Sequence, residues 1–568
     1  MRYNSLSLII FLAALNLFAQ AERETRAVWL ATNHRLDWPP PTYNAEKQKK
    51  ALTDIFDNLK SKNFNTVYFQ ARSSGTVMFN SSFEPFSQYL TGIVGKEPSF
   101  DPLKFAVEEA HKRGLEIHAW VNACLVNNGT ESEVLKNKNH LSQSKPEWIV
   151  EDVRDRQKSL WIDPGLPEAR NYLVDLILEM VENYDVDGVH LDYIRYPGRI
   201  FDDDFSFKIH GGGLSRDEFR RNNITAIVED VYHQVKSVKP FVKIGAAPIG
   251  VYKNLAGMRA LESFYDLYQD SFGWMKKGIV DYLTPQIYWG LNENTRFDLL
   301  AKDWKDNAGK SGVVLGIGAY KENVKDEIEE MILLARKINA DGVSFFRYQH
   351  IKDVNFHAYK YKVFPKALKE LNETKPTSPS NLTAILNADK KHFSLKWYEG
   401  KITSENDSAS YYSVYNLQNA NTRLSKEYLF DVVSAPSNNL MLAIDKPKKV
   451  NYFFAIKSIN KLWNESAEPT NTAKVQVSAM KELAELNREI SKPLLIKKAD
   501  NIALIVLESS EREQIELYGI KGKDIIHISS DSLSIGKNVL RVSAELKRYD
   551  RLKIGFGKTQ KEVELKMQ

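Results

Sequence analysis

The chain of 568 residues has one cysteine, a small net charge and no long apolar run beyond its first twenty residues. An intrachain disulfide is therefore excluded, and Cys124 is predicted to be a buried structural thiol. The net charge is +5, or +4 without the first twenty residues, which gives no electrostatic argument for nucleic-acid binding. No transmembrane segment is expected, because a spanning helix needs about 18 or more consecutive apolar residues.

The chain also lacks the short motifs that hold metal ions or nucleotide phosphates. His34, His118 and His190 have no second histidine or carboxylate at ligand spacing, so no metal site is predicted. No glycine-rich fingerprint follows the first strand, which argues against an open dinucleotide-binding sheet. We therefore expect no cofactor.

Residues 1–21 have the composition of a secretory signal peptide. Arg2 precedes an apolar run from Leu6 to Phe18, and small residues follow at Ala19 and Ala21. The protein is expected to be exported to the periplasm or cell envelope. An uncleaved signal anchor is the alternative.

Residues 22–372 alternate short apolar strands with segments of helical period. Eight such units predict an α/β fold, a (β/α)₈ TIM barrel with loop insertions. The predicted strands begin at Thr25, Asn65, Leu115, Asp187, Val242, Val280, Gly312 and Asp341. The helical segments identified are 47–60, 102–112, 167–183, 216–238 and 324–338.

The sequence changes character at ETKPTSP, which begins at Glu373 and is typical of a linker. Residues 376–477 alternate apolar and polar positions and predict a small β-sandwich. This segment resembles a fibronectin type III domain, with Trp397 at the core tryptophan position and Tyr452 at the late-strand tyrosine position. Residues 493–568 predict a second sandwich-like module. One hypothesis makes these modules the functional part, as adhesion or spacing units.

The active site of a TIM barrel lies at the C-terminal ends of its strands. Aromatic rings there can stack on sugars while amides bind hydroxyl groups, so this composition favours a carbohydrate ligand. Any one of these residues could instead be a polar side chain with protein partners at a strand end. The candidate substrate-binding residues are Trp29, Gln70, Arg72, His118, Trp120, Asn122, Arg195, Tyr196, Gln286, Tyr288, Trp289 and Arg347.

Glycosidic cleavage requires a carboxylate near the anomeric carbon and a proton donor for the leaving oxygen. Asp192, at the end of the fourth strand, is the first candidate. The alternative is an ion pair between Asp192 and Arg195 that holds the loop. The candidates for the second carboxyl group are Asp163, the cluster Asp202, Asp203 and Asp204, and Glu147, although Asp163 could be a turn residue and the run FDDDF could be solvated loop charge.

Six segments, in order, resemble the family-10-like glycosyl hydrolases, a bacterial envelope family distinct from the family 10 xylanases. The resemblance implies a (β/α)₈ barrel that acts on glycan strands, with peptidoglycan stripped of its peptides as the substrate class linked to some members. The segments are RAVWLATNHRLDWP, FNTVYFQARSSG, LEIHAWVN, WIDPGLPEARNYL, YDVDGVHLDYIRYP and DYLTPQIYW.

The segment DGVHLDYIRYP is also similar to the strand-four motif DGIDLDWEYP of family 18 chitinases. Asp192 falls on its last aspartate, while the chitinase acid falls on Ile194, so that role does not carry over. Tyr288 is similar to the strand-six tyrosine that supports an N-acetyl group. The similarity thus leaves the proton donor open, and Asp163, on the long connection after strand three, is taken as the first candidate for the acid.

We expect a glycoside hydrolase that acts on an envelope polysaccharide containing N-acetylhexosamine, with peptidoglycan strands as the first candidate. The alternative is a non-catalytic glycan-binding barrel that positions other envelope enzymes. The sequence leaves the oligomeric state open.

Overall fold

The computed structural model describes fourteen ranges of the chain. The predicted signal peptide lies outside them, as do residues 373 and 374 of the predicted linker. The described ranges are 23–129, 133–154, 156–368, 375–387, 392–401, 408–435, 437–443, 451–476, 494–499, 502–509, 513–533, 536–543, 549–556 and 562–566.

Eight parallel strands close into a barrel, which confirms the predicted fold. The strand order is the chain order, and β1 pairs with both β2 and β8, so the barrel has no free edge. The strands are β1 Thr25–Leu30, β2 Thr66–Ser73, β3 Glu116–Asn122, β4 Gly188–Asp192, β5 Lys243–Ala246, β6 Tyr282–Leu283 with its continuation Gln286–Ile287, β7 Gly312–Ile317 and β8 Gly342–Phe345.

Helices follow the strands and pack on the outside of the barrel. Side chains cap several of them at the N-terminus: Asn44 accepts from the Lys47 amide before α1, and Ser215 and Glu218 form a capping box at α4. The main helices are α1 Ala45–Ser61, α2 Pro102–Lys112, α3 Pro167–Asn183, α4 Arg216–Val238, α5 Ser271–Lys277, α6 Phe297–Asp306 and α7 Glu322–Lys337, and shorter helices, among them Asp204–His210, lie in the loops.

The barrel interior is filled by large side chains that stand opposite glycines. A Cβ atom on Gly188 would lie 2.6 Å from the His118 ring, and one on Gly245 would lie 2.1 Å from the Tyr282 ring. These two glycines therefore make room for the rings that cross the barrel axis. The interior is a packed core, with its open surface at the strand ends.

The connection from β3 to α3 contains a small antiparallel sheet. Its strands are Leu125–Asn128, Ile149–Arg154 and Gln157–Ile162. The Ile162 amide donates to the Cys124 carbonyl at 2.9 Å, just beyond the end of β3. This inserted sheet therefore lies at the C-terminal end of the barrel.

Beyond the barrel, seven strands form two antiparallel sheets. One contains β9, β10 and β13, and the other contains β12, β11, β14 and β15. The fibronectin type III assignment and the domain boundaries stay predictions. The strands are β9 Ser380–Leu386, β10 His392–Tyr398, β11 Tyr411–Leu417, β12 Leu429–Ser434, β13 Asn439–Ala443, β14 Asn451–Ile459 and β15 Ala473–Gln476.

The chain divides into two compact units. The first contains Met1–Ile385, Ser394–Leu442 and Phe453–Lys474, and the second contains Leu386–Phe393, Ala443–Tyr452 and Val475–Gln568.

Within the first unit, Phe364 from the end of the barrel sequence packs in one apolar cluster with Tyr411 and Trp463. Lys60 of α1 pairs with Asp431 at 2.9 Å. The barrel and these strands of the first module are therefore joined by a packed contact.

Among the described residues, no helix is long and apolar enough to span a membrane.

The second unit includes two further antiparallel sheets. The strands of these sheets are β16 Leu494–Ala499, β17 Ile502–Ser509, β18 Glu513–Lys521, β19 Asp524–Leu533, β20 Gly536–Ser543, β21 Arg551–Phe556 and β22 Glu562–Lys566.

Candidate active site

Asp192 is the last residue of β4 and stands opposite Asn122, the last residue of β3. The chain bends sharply after it, because Tyr193 has a left-handed backbone with φ 49°. The Tyr193 carbonyl accepts from the amides of Cys124 and Arg195, which fixes this bend. A non-glycine residue in this conformation is uncommon and occurs often at functional sites.

Asp192 is 7% exposed and is held by neutral donors. Its Oδ1 accepts from the Tyr193 amide at 2.7 Å and from Gln286 Nε2 at 3.2 Å. Burial raises the pKa of Asp192 to about 6, because these donors, Arg195 and Trp120 compensate only part of the lost hydration. The carboxyl group is therefore mostly ionised at pH 7, and its midpoint lies about two pH units above that of an ordinary aspartate.

Aromatic rings form the wall beside Asp192. Trp29 contacts Tyr288 and Phe346 edge to face, with ring centroids 6.4 and 5.9 Å apart. Tyr320 meets Tyr288 at 5.9 Å. The Trp29 indole is oriented from below by a 3.0 Å hydrogen bond to His190 Nε2. Trp29 itself is buried in the core, so it supports the wall from behind, and the partly exposed rings of Tyr288, Phe346 and Tyr320 offer the apolar faces on which a sugar ring can stack.

Two buried polar atoms at this end make no hydrogen bond of normal geometry with a described residue, although the Trp120 indole lies near enough to Asp192 to favour its ionised form. They are Nε1 of Trp120 and Oδ1 of Asn122, on side chains that are each 3% exposed. A buried donor or acceptor without a partner costs about 1–3 kcal/mol. Such atoms are suited to bind hydroxyl or amide groups of a ligand.

Gln286 and Gln70 have different tasks. Gln286 donates both to Asp192 and to the Ala247 carbonyl at 3.0 Å, so it fixes the carboxyl group. Gln70 Oε1 accepts from the amides of Thr32 and Asn33 at 2.9 and 2.8 Å and holds the loop after β1.

Arg195 lies beside Asp192 without a direct ion pair to it. Its guanidinium carbon lies 4.9 Å from the Tyr193 ring centroid and 5.3 Å from that of Trp161. Its Nη1 donates a long hydrogen bond of 3.4 Å to the Tyr196 carbonyl. The predicted alternative of an Asp192–Arg195 salt bridge is therefore absent from this geometry.

Other predicted binding residues are occupied by protein partners. Arg72 pairs with Glu84 at 2.5 Å and also donates to the carbonyls of Asn122 and Ala123. Arg347 pairs with Asp37 at 2.7 Å. They therefore brace the loops around the cleft.

Tyr196 and Trp289 also lie apart from Asp192. Tyr196 is fully buried near Asn223, and Trp289 is half-buried with Lys321 over its ring at 5.9 Å.

His118 lies inside the barrel, opposite Gly188 and below the level of Asp192. Its Nδ1 is 2.7 Å from the Tyr282 hydroxyl, which is also 3.0 Å from His190 Nδ1. A cavity of about 600 Å³ borders His118 and opens at the N-terminal ends of the strands. His118 thus faces the end of the barrel opposite to the proposed chemistry.

Asp163 and Asp203 belong to a second polar cluster. Asp203 is paired with Arg220 at 2.6 Å and Arg216 at 2.5 Å. Asp163 accepts from the Gly165 amide at 2.8 Å. Burial raises the pKa of Asp163, and the charge of Asp203 adds to the rise. Asp163 and Asp203 therefore lie near each other, and among the described residues neither of them contacts Asp192.

In the part of the chain that is described, no three His, Cys, Asp or Glu side chains are grouped as a metal site requires. Three further aromatic residues line the cleft that the sequence analysis did not identify: Tyr193, Tyr320 and Phe346. Tyr193 and Phe346 directly follow β4 and β8, and Tyr320 lies three residues after β7, and this position is the signal that could have identified them.

A family described as glycosyl hydrolase-like 10 matches residues 24–332. The chain is 34% identical over 335 residues to glycosyl hydrolase DigH of Escherichia coli K12, covering 55% of this chain and 76% of that one. It is 30% identical over 496 residues to glycosyl hydrolase YngK of Bacillus subtilis strain 168, covering 80% and 94%.

Among solved structures, the glycoside hydrolase domain of PgaB from Bordetella bronchiseptica aligns with a TM-score of 0.42 and 12% identity, over 59% of this chain and 99% of that one. The family match and the two sequence relatives carry the assignment. The chain therefore belongs to the glycosyl hydrolase-like 10 family and is a glycoside hydrolase.

Proposed function

We propose that this enzyme hydrolyses an envelope glycan containing N-acetylhexosamine, with peptidoglycan strands as its substrate, and that Asp192 is its central catalytic residue. The observation that carries the proposal is the setting of Asp192: a buried carboxyl group at the barrel mouth, held by an amide and two aromatic neighbours. Export to the cell envelope, which the N-terminal sequence predicts, is part of the same proposal.

The chemistry follows from where charge develops. Cleavage of a glycosidic bond builds positive charge at the anomeric carbon, which a nearby carboxylate stabilises. Asp192 can do this in either of two ways, as a nucleophile or by orienting the acetamido group of the substrate. In the second case the acetamido oxygen attacks, and the carboxylate stabilises the nitrogen as it gains positive charge.

The contacts of Asp192 favour the acetamido role. A second carboxyl group about 5 Å away would be expected for a nucleophile with a partner acid, and none contacts Asp192 among the described residues. Tyr288 instead lies close enough for the charge of Asp192 to raise the pKa of its phenol, in addition to the larger effect of burial. An acetamido group between Asp192 and Tyr288 would have a partner for both its N–H and its carbonyl.

Asp163 is the candidate acid in this proposal. A general acid must be protonated before the reaction, and the raised pKa of Asp163 favours that form. Its contacts lie with Asp203 and Ser206, so the acid assignment depends on the substrate reaching this cluster.

Mass spectrometry of the products tests the proposed function. The intact protein is incubated with peptide-bearing peptidoglycan, with peptide-stripped strands and with chitin oligomers. We expect shortened strands with new reducing ends from at least one N-acetylhexosamine glycan, and none with Asp192→Asn. Unchanged glycans in all three incubations, with binding retained, would instead indicate a glycan-binding barrel.

A further inference from the structure

His190 lies inside the barrel, one layer of side chains below Asp192. The two residues are separated by Leu191 on β4, and side chains alternate along a strand, so both point into the barrel. His190 is fully buried, and its ring stacks on Tyr68 with the centroids 3.9 Å apart and the planes 12° from parallel. The imidazole is therefore held in a fixed plane below the site.

Both ring nitrogens of His190 have a partner on another strand. Nε2 lies 3.0 Å from Nε1 of Trp29, on β1, and Nδ1 lies 3.0 Å from the Tyr282 hydroxyl, on β6. The Tyr282 hydroxyl also lies 2.7 Å from Nδ1 of His118, on β3. Three strands besides β4 are thus linked through this imidazole and the phenol beside it.

The donors in this chain of hydrogen bonds follow from the chemistry of its members. An indole N–H only donates, so Nε2 of His190 accepts from Trp29 and carries no proton. A neutral imidazole then has its proton on Nδ1, which donates to the Tyr282 oxygen. The Tyr282 hydroxyl in turn donates to His118. The indole of Trp29 therefore fixes the direction of every hydrogen bond in the chain.

This arrangement requires a neutral His190. A protonated imidazole would direct a second N–H at the N–H of Trp29 across 3.0 Å, so an attraction would become a repulsion. Burial lowers the pKa of His190 well below its usual range, with a smaller contribution from His118. His190 therefore accepts the indole hydrogen bond at neutral pH.

Trp29 connects this fixed imidazole to the wall of the cleft. Its side chain is 1% exposed and contacts Tyr288 and Phe346 edge to face. Gly316 of β7 leaves room for the indole, since a Cβ atom there would lie 3.1 Å from Cη2 of Trp29. The indole is thus confined between His190 below it and the two wall rings above it.

We propose that His190 is a positioning residue of the active site, which acts through Trp29 to hold the Tyr288 ring in place beside Asp192. This inference rests on the proposed function, in which Tyr288 and Asp192 hold the acetamido group of the substrate. His190 does not itself contact the reacting atoms. A displacement of about 1 Å at such a contact can reduce the rate about 10²-fold.

The test separates the two hydrogen bonds of His190. In His190→Gln the amide oxygen reaches about as far as Nε2 of the imidazole, so it can accept from Trp29. In His190→Asn the shorter amide reaches only the position of Nδ1, next to Tyr282. His190→Phe keeps a ring and removes both hydrogen bonds.

His140→Phe is the matched control. His140 is also fully buried with partners at both ring nitrogens, Ser142 Oγ at 2.8 Å and the Ser74 carbonyl at 3.2 Å. It lies in the connection after β3, and its described contacts do not include Trp29. This variant should therefore lose stability and keep its kcat/KM.

Three quantities are measured on the intact protein. The release of reducing ends gives kcat/KM for peptidoglycan strands, and calorimetry gives their Kd. NMR of ¹⁵N-labelled protein gives the indole N–H resonance of Trp29, which is assigned by its absence in Trp29→Phe. The resonance follows the hydrogen bond to His190 without any substrate.

We expect kcat/KM to fall about 10²-fold in His190→Asn and His190→Phe, with a higher Kd and an upfield shift of the Trp29 N–H resonance. His190→Gln should keep kcat/KM within about fivefold of the wild type and leave the resonance near its wild-type position. The pH midpoint of kcat/KM should be the same in all variants, because His190 acts on Trp29 and not on Asp192.

Wild-type kcat/KM in folded His190→Phe would overturn the inference. Equal losses in His190→Gln and His190→Asn, or an equal loss in His140→Phe, would also overturn it, because the hydrogen bond to Trp29 would then not be the cause. If His190→Phe does not fold, the comparison of His190→Asn with His190→Gln decides.

The Kd values separate this inference from the proposed function. If the wild type binds the strands without cleaving them, tighter binding by the wild type and His190→Gln than by His190→Asn retains the positioning role and shows that the proposed hydrolysis is wrong. Equal Kd values in that case would overturn the positioning role. A wild-type protein that neither cleaves nor binds the strands would overturn both proposals.

Discussion

The two ends of the barrel differ in how their buried charged groups are paired. At the N-terminal end, Lys243 pairs with Glu116 at 2.5 Å and Arg336 pairs with Glu24 at 2.7 Å. At the C-terminal end, Asp192 and Arg195 lie close together without an ion pair, and two buried polar atoms make no hydrogen bond of normal geometry with a described residue. Both ends contain ion pairs and unpartnered buried atoms, among them His118 Nε2 towards the first end. In the described structure, the second end differs because a buried carboxyl group and an arginine lie close together there without an ion pair, where a substrate can bind.

The largest effect is expected from a substitution at the C-terminal end. Asp192→Asn keeps the side-chain shape and removes the charge, so turnover should fall at least about 10³-fold, or about 4 kcal/mol of transition-state stabilisation. The raised pKa means that ionised Asp192 destabilises the fold above about pH 6. The variant should therefore melt no lower than the wild type at pH 7.5.

Turnover assays and thermal melts measure both effects. A folded Asp192→Asn enzyme with more than about a tenth of wild-type turnover would contradict the catalytic assignment. A marked loss of melting temperature would indicate a structural role instead.

The next prediction concerns the N-terminal end. Burial raises the pKa of Glu116, but the Lys243 ammonium group and His118 outweigh burial and lower it. Lys243→Met leaves Glu116 buried and unpaired, so the free energy of unfolding should fall by about 3–5 kcal/mol. Turnover per folded molecule should not change.

Denaturant titration measures the loss, and Lys302→Met is the matched control. Lys302 forms an exposed pair with Asp306 at 2.5 Å, so this variant should lose no more than about 0.5 kcal/mol. Equal losses in the two variants would remove the contrast between buried and exposed pairs.

Asp163 gives an effect of intermediate size. As the acid, Asp163→Asn should reduce turnover of glycan strands by about 10²-fold. An aryl glycoside with a good leaving group needs no proton donor, so its cleavage should change far less. The same loss of turnover on both substrates, or no loss on the strands, would show that Asp163 is not the acid. Asp163 would then be a turn residue that accepts the hydrogen bond of the Gly165 amide.

Trp120→Phe sharpens the comparison further, because it keeps a ring and removes an indole N–H that makes no hydrogen bond of normal geometry with a described residue and that favours ionised Asp192. We expect kcat/KM to fall about tenfold without loss of stability. Trp38→Phe is the control: its Nε1 donates to the Gln48 carbonyl at 2.9 Å, so this variant should lose stability and keep its activity. Unchanged kcat/KM in Trp120→Phe would show that the indole donor contacts no substrate.

Much of this fold follows from periodicity in the sequence. All eight barrel strands can be predicted from short apolar runs in the sequence. Five helices can be predicted because each of these long amphipathic segments repeats its apolar positions at the helical period. Helix α5 has seven residues, too few to establish that period, and α6 was also not identified.

The site was less predictable, because side-chain roles depend on register and on distant partners. The sequence places Asp192 at a strand end, yet it does not show that Arg72 meets Glu84 or that β2 shifts register beside Gln70. A phenylalanine after an apolar strand is expected in the core, and only the closed barrel shows that Phe346 contacts Trp29.

The most direct test of the account is the pH dependence of kcat/KM for the wild-type enzyme, because it follows the ionisation of Asp192 without altering any residue. If ionised Asp192 is required, and its pKa is about 6, activity should fall about tenfold per pH unit below that value. A limb near pH 4, where an ordinary aspartate titrates, or a flat profile from pH 7 to 5 would contradict the account.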